Sequence, residues 1–180
     1  MKYIIFDLEA TCWKDDRSRQ NETIEIGAVG LDEQGQSLGE FQQFIRPRLN
    51  TELSPFCNEL TSITQQEVDE APEFPEAIRK FREWIGESPY VLCSWGFYDR
   101  KQFRQDCSLH EMNTEWIDPH ISVKHQHRNL AKVERAMGLG SALKLEGFKF
   151  MGTPHRGIDD ARNIVSIFKK YFGSWEIEKK

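Results

Sequence analysis

This sequence has little of what ties a chain to a membrane, a disulfide framework or long duplex nucleic acid. No apolar run reaches the roughly 18 residues of a membrane-crossing helix. The opening residues read as a strand rather than a signal peptide, so the expectation is a cytoplasmic protein without membrane contact. Cysteine is scarce. Cys12, Cys57, Cys93 and Cys107 form no C-x-x-C pair, which favours reduced thiols over disulfides or a zinc site. Positive charge is in deficit: a net charge of -5 argues against a broad electrostatic grip on long duplexes. It leaves room for a metal site, because clustered acids add to that total. Internal repeats are lacking, as are linkers rich in Pro, Gly or Ser.

What is present fits one ordinary globular domain of 180 residues, 29% charged and 38% hydrophobic. The expected extent is residues 1–175, with 176–180 a loose tail and the chain loosely held from Gly173. Apolar alternation predicts strands over about 2–9, 23–31 and 37–46, joined as an antiparallel meander. Residues 48–62 read as a loop with a short helix at best. Thr64 and Glu67 have capping-box spacing. Ala77, Ile78, Phe81, Trp84 and Ile85 give 74–86 a helical apolar stripe. A buried strand follows over Tyr90–Ser94, then a helix over about 97–107. Trp116-Ile117 reads as a short strand. Residues 120–127, 129–137 and 141–146 read as helices, with Asn129 as a cap and Gly138 as a stop. A last helix starts after Gly157 and runs to about 172. Early strands followed by alternating strands and helices predict an α/β fold, a mixed sheet flanked by helices.

The first strand, Ile4-Ile5-Phe6-Asp7-Leu8-Glu9, ends in two carboxylates. Two residues apart on a strand, Asp7 and Glu9 project from one face. Side by side they repel, and a hard divalent cation relieves that repulsion. Two later segments also offer acids or bases. Asp99 in Ser94-Trp95-Gly96-Phe97-Tyr98-Asp99 falls in the first turn of a helix after a buried strand. Asp160 in His155-Arg156-Gly157-Ile158-Asp159-Asp160-Ala161 falls early in the last helix, with His155 on the loop before it.

Taken together, FDLEATCW, LTSIT at 60–64, SWGFYD and PHRGIDDARNI resemble the DEDD exonucleases, in the subgroup with a His in the third motif. The resemblance spans residues 3 to about 172, and within the superfamily it is to the enhanced-RNAi and histone-mRNA 3′-end exoribonuclease group and bacterial KapD-like proteins. It implies a ribonuclease-H-like fold and 3′→5′ hydrolysis to nucleoside 5′-monophosphates. It also implies that Asp7, Glu9, Asp99 and Asp160 hold two Mg²⁺ or Mn²⁺ ions while His155 acts as general base. The family spacing selects Asp160 over Asp159 as the ligand, and Asp159 then reads as a helix N-terminal acid.

Substrate contacts follow from the same resemblance and from side-chain chemistry. Ala10 and Thr11 are expected to line the terminal nucleoside's pocket through backbone contacts. Leu60 and Ile63 are expected to wall its base. Trp95, and equally Trp13, is either a stacking platform or core. Arg156 is a candidate phosphate ligand. Arg100, Lys101 and Arg104 offer a basic rim or a solvated helix face. Asp118 reads as a turn residue before Pro119, and Asp69 and Glu70 read as part of a polar surface with no role in the site. With no basic tail or added nucleic-acid module in view, the expected substrate is a short single-stranded 3′ end, RNA before DNA. A DNA-trimming enzyme and a non-catalytic binding protein on the same fold are the alternatives.

Overall fold

The computed structural model describes residues 1–16 and 18–177. At its centre is a five-stranded sheet in the order β3-β2-β1-β4-β5. β1 (Lys2–Ala10), β2 (Thr23–Leu31) and β3 (Ser37–Phe44) form the antiparallel meander that the alternation predicts. β4 (Tyr90–Ser94) and β5 (His120–Ser122) add in parallel on the other side of β1. Helices α1 (Pro55–Thr61), α2 (Gln65–Asp69) and α3 (Phe74–Ile85) lie between β3 and β4, and α4 (Tyr98–Leu109) lies between β4 and β5. α5 (Val123–Leu130), α6 (Leu139–Leu145) and α7 (Gly157–Lys170) complete the chain. None of these helices is long and apolar enough to cross a membrane.

Strand periodicity sets up both sides of the sheet. Ile4, Phe6 and Leu8 of β1 enter a core with Phe81 of α3 and Phe103 of α4. Phe6 stacks on Phe103 with ring centroids 5.1 Å apart. Burying each such ring stabilises the fold by about 1.5–3 kcal/mol. Ile5 faces the opposite core, with Ala161, Ile164 and Phe168 of α7. Asp7 and Glu9 continue the Ile5 face, so the strand's carboxylates come out on the α7 side.

The start of α7 lies directly against the sheet. Gly27 of β2 pairs with Asp7 of β1. A Cβ on Gly27 would overlap the backbone of Gly157 and Ile158, and one on Gly157 would sit 3.0 Å from the Asp7 carbonyl oxygen. Only two glycines facing each other allow this approach.

The structure corrects four expectations. Trp116 and Ile117 belong to a 3-10 turn, Glu115–Ile117, rather than a strand. Residues 120–122 form β5, whose three side chains are all buried and whose Ile121 pairs with Cys93. A three-residue strand is too short to show a period. No helix covers 131–138; α5 ends at Leu130 with Asn129 inside it, and Gly138 caps the start of α6 instead of stopping a helix. Trp175 and Glu176 are docked rather than loosely held: Trp175 stacks on Phe168 at 5.0 Å, and the Glu176 N–H donates to Gln126 Oε1 at 2.8 Å. Residues 178–180 of the expected tail lie outside the described residues. The capping box opening α2 is formed by Thr64 and Glu67 as expected.

Candidate active site

Three segments bring their acids to one cleft of about 500 Å³, lined by Asp7, Glu9, Asp99, His155 and Asp160 among others. Carboxylate oxygens of Asp7, Glu9 and Asp160 lie within 4.8 Å of one another. Asp99 stands beside this trio, in the first turn of α4, and accepts the Leu8 N–H at 3.3 Å. Behind it, Ser94 Oγ lies 3.0 Å from Nε2 of buried His120, whose imidazole burial holds down to a pKa of about 4. Ser94 also hydrogen-bonds the Asp99 carboxylate. The end of β4 thus orients the second motif from inside the core.

The electrostatics are those of acids crowded out of water. Burial, then Asp99, then Glu9 hold the Asp7 carboxyl well above the usual range. Burial and then Asp160 push Glu9 up to about 9. Burial raises Asp99 and Asp160 to about 6, against hydrogen bonds that favour their ionised forms. Asp7 therefore feels Asp99 most among its charged neighbours, whereas Glu9 feels Asp160 most. Asp160 Oδ2 is buried with no hydrogen-bond donor. An all-oxygen, electron-rich donor set with an unpartnered carboxylate oxygen is what a hard divalent cation fits.

His155 reaches the cleft from an exposed loop, with φ of 61° in the left-handed region. That conformation costs a non-glycine residue about 1–2 kcal/mol, and several contacts hold it. Asn163 clamps Met151 from both sides, accepting its N–H at 3.0 Å and donating to its carbonyl at 2.7 Å. Asp159 accepts the Thr153 N–H at 2.9 Å. The Asp160 carboxylate accepts the His155 N–H, and Glu25 Oε2 accepts the Gly157 N–H at 3.0 Å.

The remaining residues proposed from sequence fall into different places. Trp95 lines the cleft and also packs in the α7-side core, with its indole N–H on Met137 O at 3.2 Å. Thr11 is buried, its N–H on Glu22 O and its carbonyl taking the Asn21 amide, so its backbone is already engaged. Ala10 is buried and its carbonyl accepts from Cys57 Sγ. Leu60 is exposed in a separate depression with Lys14, Phe56 and Glu59. Ile63 is fully buried with Ile24, Cys57 and Val68, which corrects its expected place on an open wall. Trp13 lies under the Arg19 guanidinium, 5.2 Å away. Arg156 is held by Glu25 at 3.3 Å and packs over Phe44. Asp118 does more than turn the chain: it pairs with Arg100 at 2.7 Å and Arg104 at 2.5 Å.

Sequence reasoning missed Glu25, which is wholly buried, takes Gln42 Nε2 at 2.7 Å and caps the start of α7. It also missed Lys124 and His125, which line the cleft from the start of α5. The signal for Glu25 was a polar residue on a strand whose two neighbours are apolar. For Lys124 and His125 there was none, because β5 itself was unread.

Comparisons with known proteins give the chain its family and fold. The family model described as Exonuclease, RNase_T, matches residues 4–168. The rat and human proteins named 3′-5′ exoribonuclease 1 are each 33% identical over 174 residues, which cover 91% of this chain and 50% of theirs. The chain thus spans about half the length of those relatives. A solved nuclease domain described as 3′hExo, a DEDDh family member bound to rAMP, superposes with a TM-score of 0.93 at 31% identity, covering 99% of this chain and 96% of that one. The expected ribonuclease-H-like fold is the one these neighbours share. An E. coli exonuclease I bound to a dT13 oligonucleotide shares the fold alone, at 12% identity and a TM-score of 0.74 over 94% of this chain and 40% of that one. With the match covering nearly the whole sheet and both halves of the cleft, this chain belongs to the RNase_T exonuclease family.

Proposed function

We propose that the chain hydrolyses single-stranded nucleic acid from its 3′ end, RNA in preference to DNA, and releases nucleoside 5′-monophosphates. The observation that carries this reading is the convergence of Asp7, Glu9 and Asp160, with Asp99 alongside, on the floor of one open cleft. The preference for RNA is supported by relatives named as exoribonucleases and by the neighbour bound to rAMP.

The four acids are the residues that would hold two divalent cations, Mg²⁺ or Mn²⁺. Asp7 has Glu9, Asp99 and Asp160 all as charged neighbours, so it would share in holding the cations with each of them. When bound, such ions supply Lewis acidity at the scissile phosphate and make its attacking water more acidic. The chain's own work is positioning and proton transfer. His155, at the rim, takes the proton of the attacking water, the part an imidazole plays as general base. The straps from Asn163, Asp159 and Glu25 keep the imidazole's loop in place during that transfer. Trp95 offers an aromatic edge against which the terminal nucleotide is held.

Digestion of 5′-labelled RNA and DNA of one sequence, single-stranded and duplex, with Mg²⁺ or Mn²⁺, tests the reading. A ladder shortening from the 3′ end, faster on single-stranded RNA, is expected. Internal fragments would make the protein an endonuclease. Equal or faster loss of DNA would remove the RNA preference. Binding without turnover would make it a non-catalytic partner of nucleic acid.

A further inference from the structure

Nucleic acid is a polyanion, yet the cleft proposed to receive it is floored by carboxylates. Of the basic rim expected from α4, Arg100 and Arg104 both reach Asp118, and exposed Lys101 is not among the residues lining the cleft. Arg156 is held by Glu25. Among the described residues lining the cleft, Lys124 is the only lysine or arginine.

Local helix chemistry does not account for its position. Lys124 sits in the first turn of α5, which has no acid, and a cation at that end of a helix opposes the dipole. The residue is nonetheless firmly placed. Its N–H donates to Trp95 O at 2.6 Å, joining the end of β5 to the loop after β4. Its stem runs beside Gly96, where a Cβ would lie 3.9 Å from Lys124 Cδ. His125, which also lines the cleft, is set by Ser122 Oγ at 2.6 Å from Nδ1 and by a stack on Phe97 at 4.7 Å. With Nδ1 engaged, Nε2 is the nitrogen left to meet a ligand. Both residues enter from the β5 side of the sheet, whereas the His155 loop enters over β2 and β1.

We propose that Lys124, assisted by His125, binds the phosphate one linkage to the 5′ side of the scissile one. This rests on the exonuclease reading above. The scissile phosphate would be neutralised by the cations that Asp7, Glu9, Asp99 and Asp160 would hold. The next phosphate along the strand would have no such ions beneath it, and Lys124 is the cation that the described lining of the cleft offers it. The pair therefore measures substrate length: a molecule with one phosphodiester cannot use it.

Steady-state kinetics of the full chain separate the two levels of the argument. Lys124→Ala is expected to raise KM for a short single-stranded RNA about tenfold, with kcat within about twofold, and to lower the salt dependence of kcat/KM by close to one counterion. Hydrolysis of the 4-nitrophenyl ester of uridine 5′-monophosphate, which has no upstream phosphate, is expected to be unchanged. Lys124→Arg is expected to restore RNA binding, and His125→Ala to give a smaller rise in KM. An unchanged KM for RNA in Lys124→Ala, or equal losses on both substrates, would overturn the proposal. If the parent cleaves neither substrate, the exonuclease reading fails on its own. Fluorescence anisotropy with a labelled RNA and Ca²⁺ then decides the lysine's role: about tenfold weaker binding by Lys124→Ala supports it, and equal binding overturns it.

Discussion

β1 and the 151–156 loop both bring candidate residues to the cleft, and they do so by opposite means. β1 is laddered to β2 along its length and to β4 over Lys2–Ile5, and between its two acids the Leu8 N–H is taken by Asp99, so the acids stand on a paired strand. The loop has no such ladder. It is exposed, it carries a left-handed histidine, and it is tied down by side chains of α7 and β2. A site that must hold charge in register draws on the rigid strand. In the proposed mechanism the proton is passed by a strapped segment with access to water.

The sharpest way to break this comparison is at Asp7. Asp7→Asn keeps shape and removes charge, so metal-dependent cleavage is expected to fall to background while circular dichroism stays that of the parent. Cleavage at the parent's rate would detach the strand from the chemistry. On the loop, His155→Ala is expected to lower kcat by about 10²–10⁴ with Mn²⁺ affinity unchanged, as read by calorimetry. Loss of Mn²⁺ binding in that variant would mean the loop shapes the strand's site rather than serving it.

The close approach of α7 to the sheet gives a structural test. Gly27→Ala is expected to destabilise by about 1–3 kcal/mol in urea denaturation and to lower activity, because the new methyl displaces the Gly157 backbone. Gly140→Ala, in a helix with open space around it, is expected to stabilise by about 0.4–1 kcal/mol. Equal effects at the two positions would deny the contact.

The smallest effect sharpens the electrostatics. Asp99's carboxyl is raised to about 6 in the fold, mainly by burial. A raised acid costs stability when ionised: the cost is full above about pH 6 and vanishes below its unfolded value of about 3.9. In metal-free protein Asp99→Asn is therefore expected to melt higher than the parent at about pH 8, with the gain shrinking as pH falls through about 6 towards 4. A gain that grew on acidification would reverse the sign of the account.

Much of this molecule was legible in its residues. The meander, α3, α4 and α7 follow from apolar periodicity, and the pairing of Asp7 with Glu9 follows from a period of two. Their meeting with Asp99 and Asp160 was not readable from periodicity, and the expectation came from the resemblance of the motifs. The misses have physical causes. Glu25 and Gly27 alternate with Ile24, Ile26 and Ala28 and so share the less apolar side of β2, but α7 covers that side, and all nine residues of β2 are buried. His120–Ser122 were too few to separate a strand from the helix that follows. Arg100 and Arg104 formed a basic rim in sequence, but Asp118 takes both of them. Partners distant in the chain decide whether a charge is free, and no local pattern reports them.

Calorimetric titration with Mn²⁺ and a nucleoside 5′-monophosphate, near neutral pH, tests the central claim most directly. The parent is predicted to take up two ions, and Asp160→Asn to lose the tighter of them with its fold intact. A parent that binds no Mn²⁺, or an Asp160→Asn variant that titrates like the parent, would contradict the convergence of these acids on a cation site.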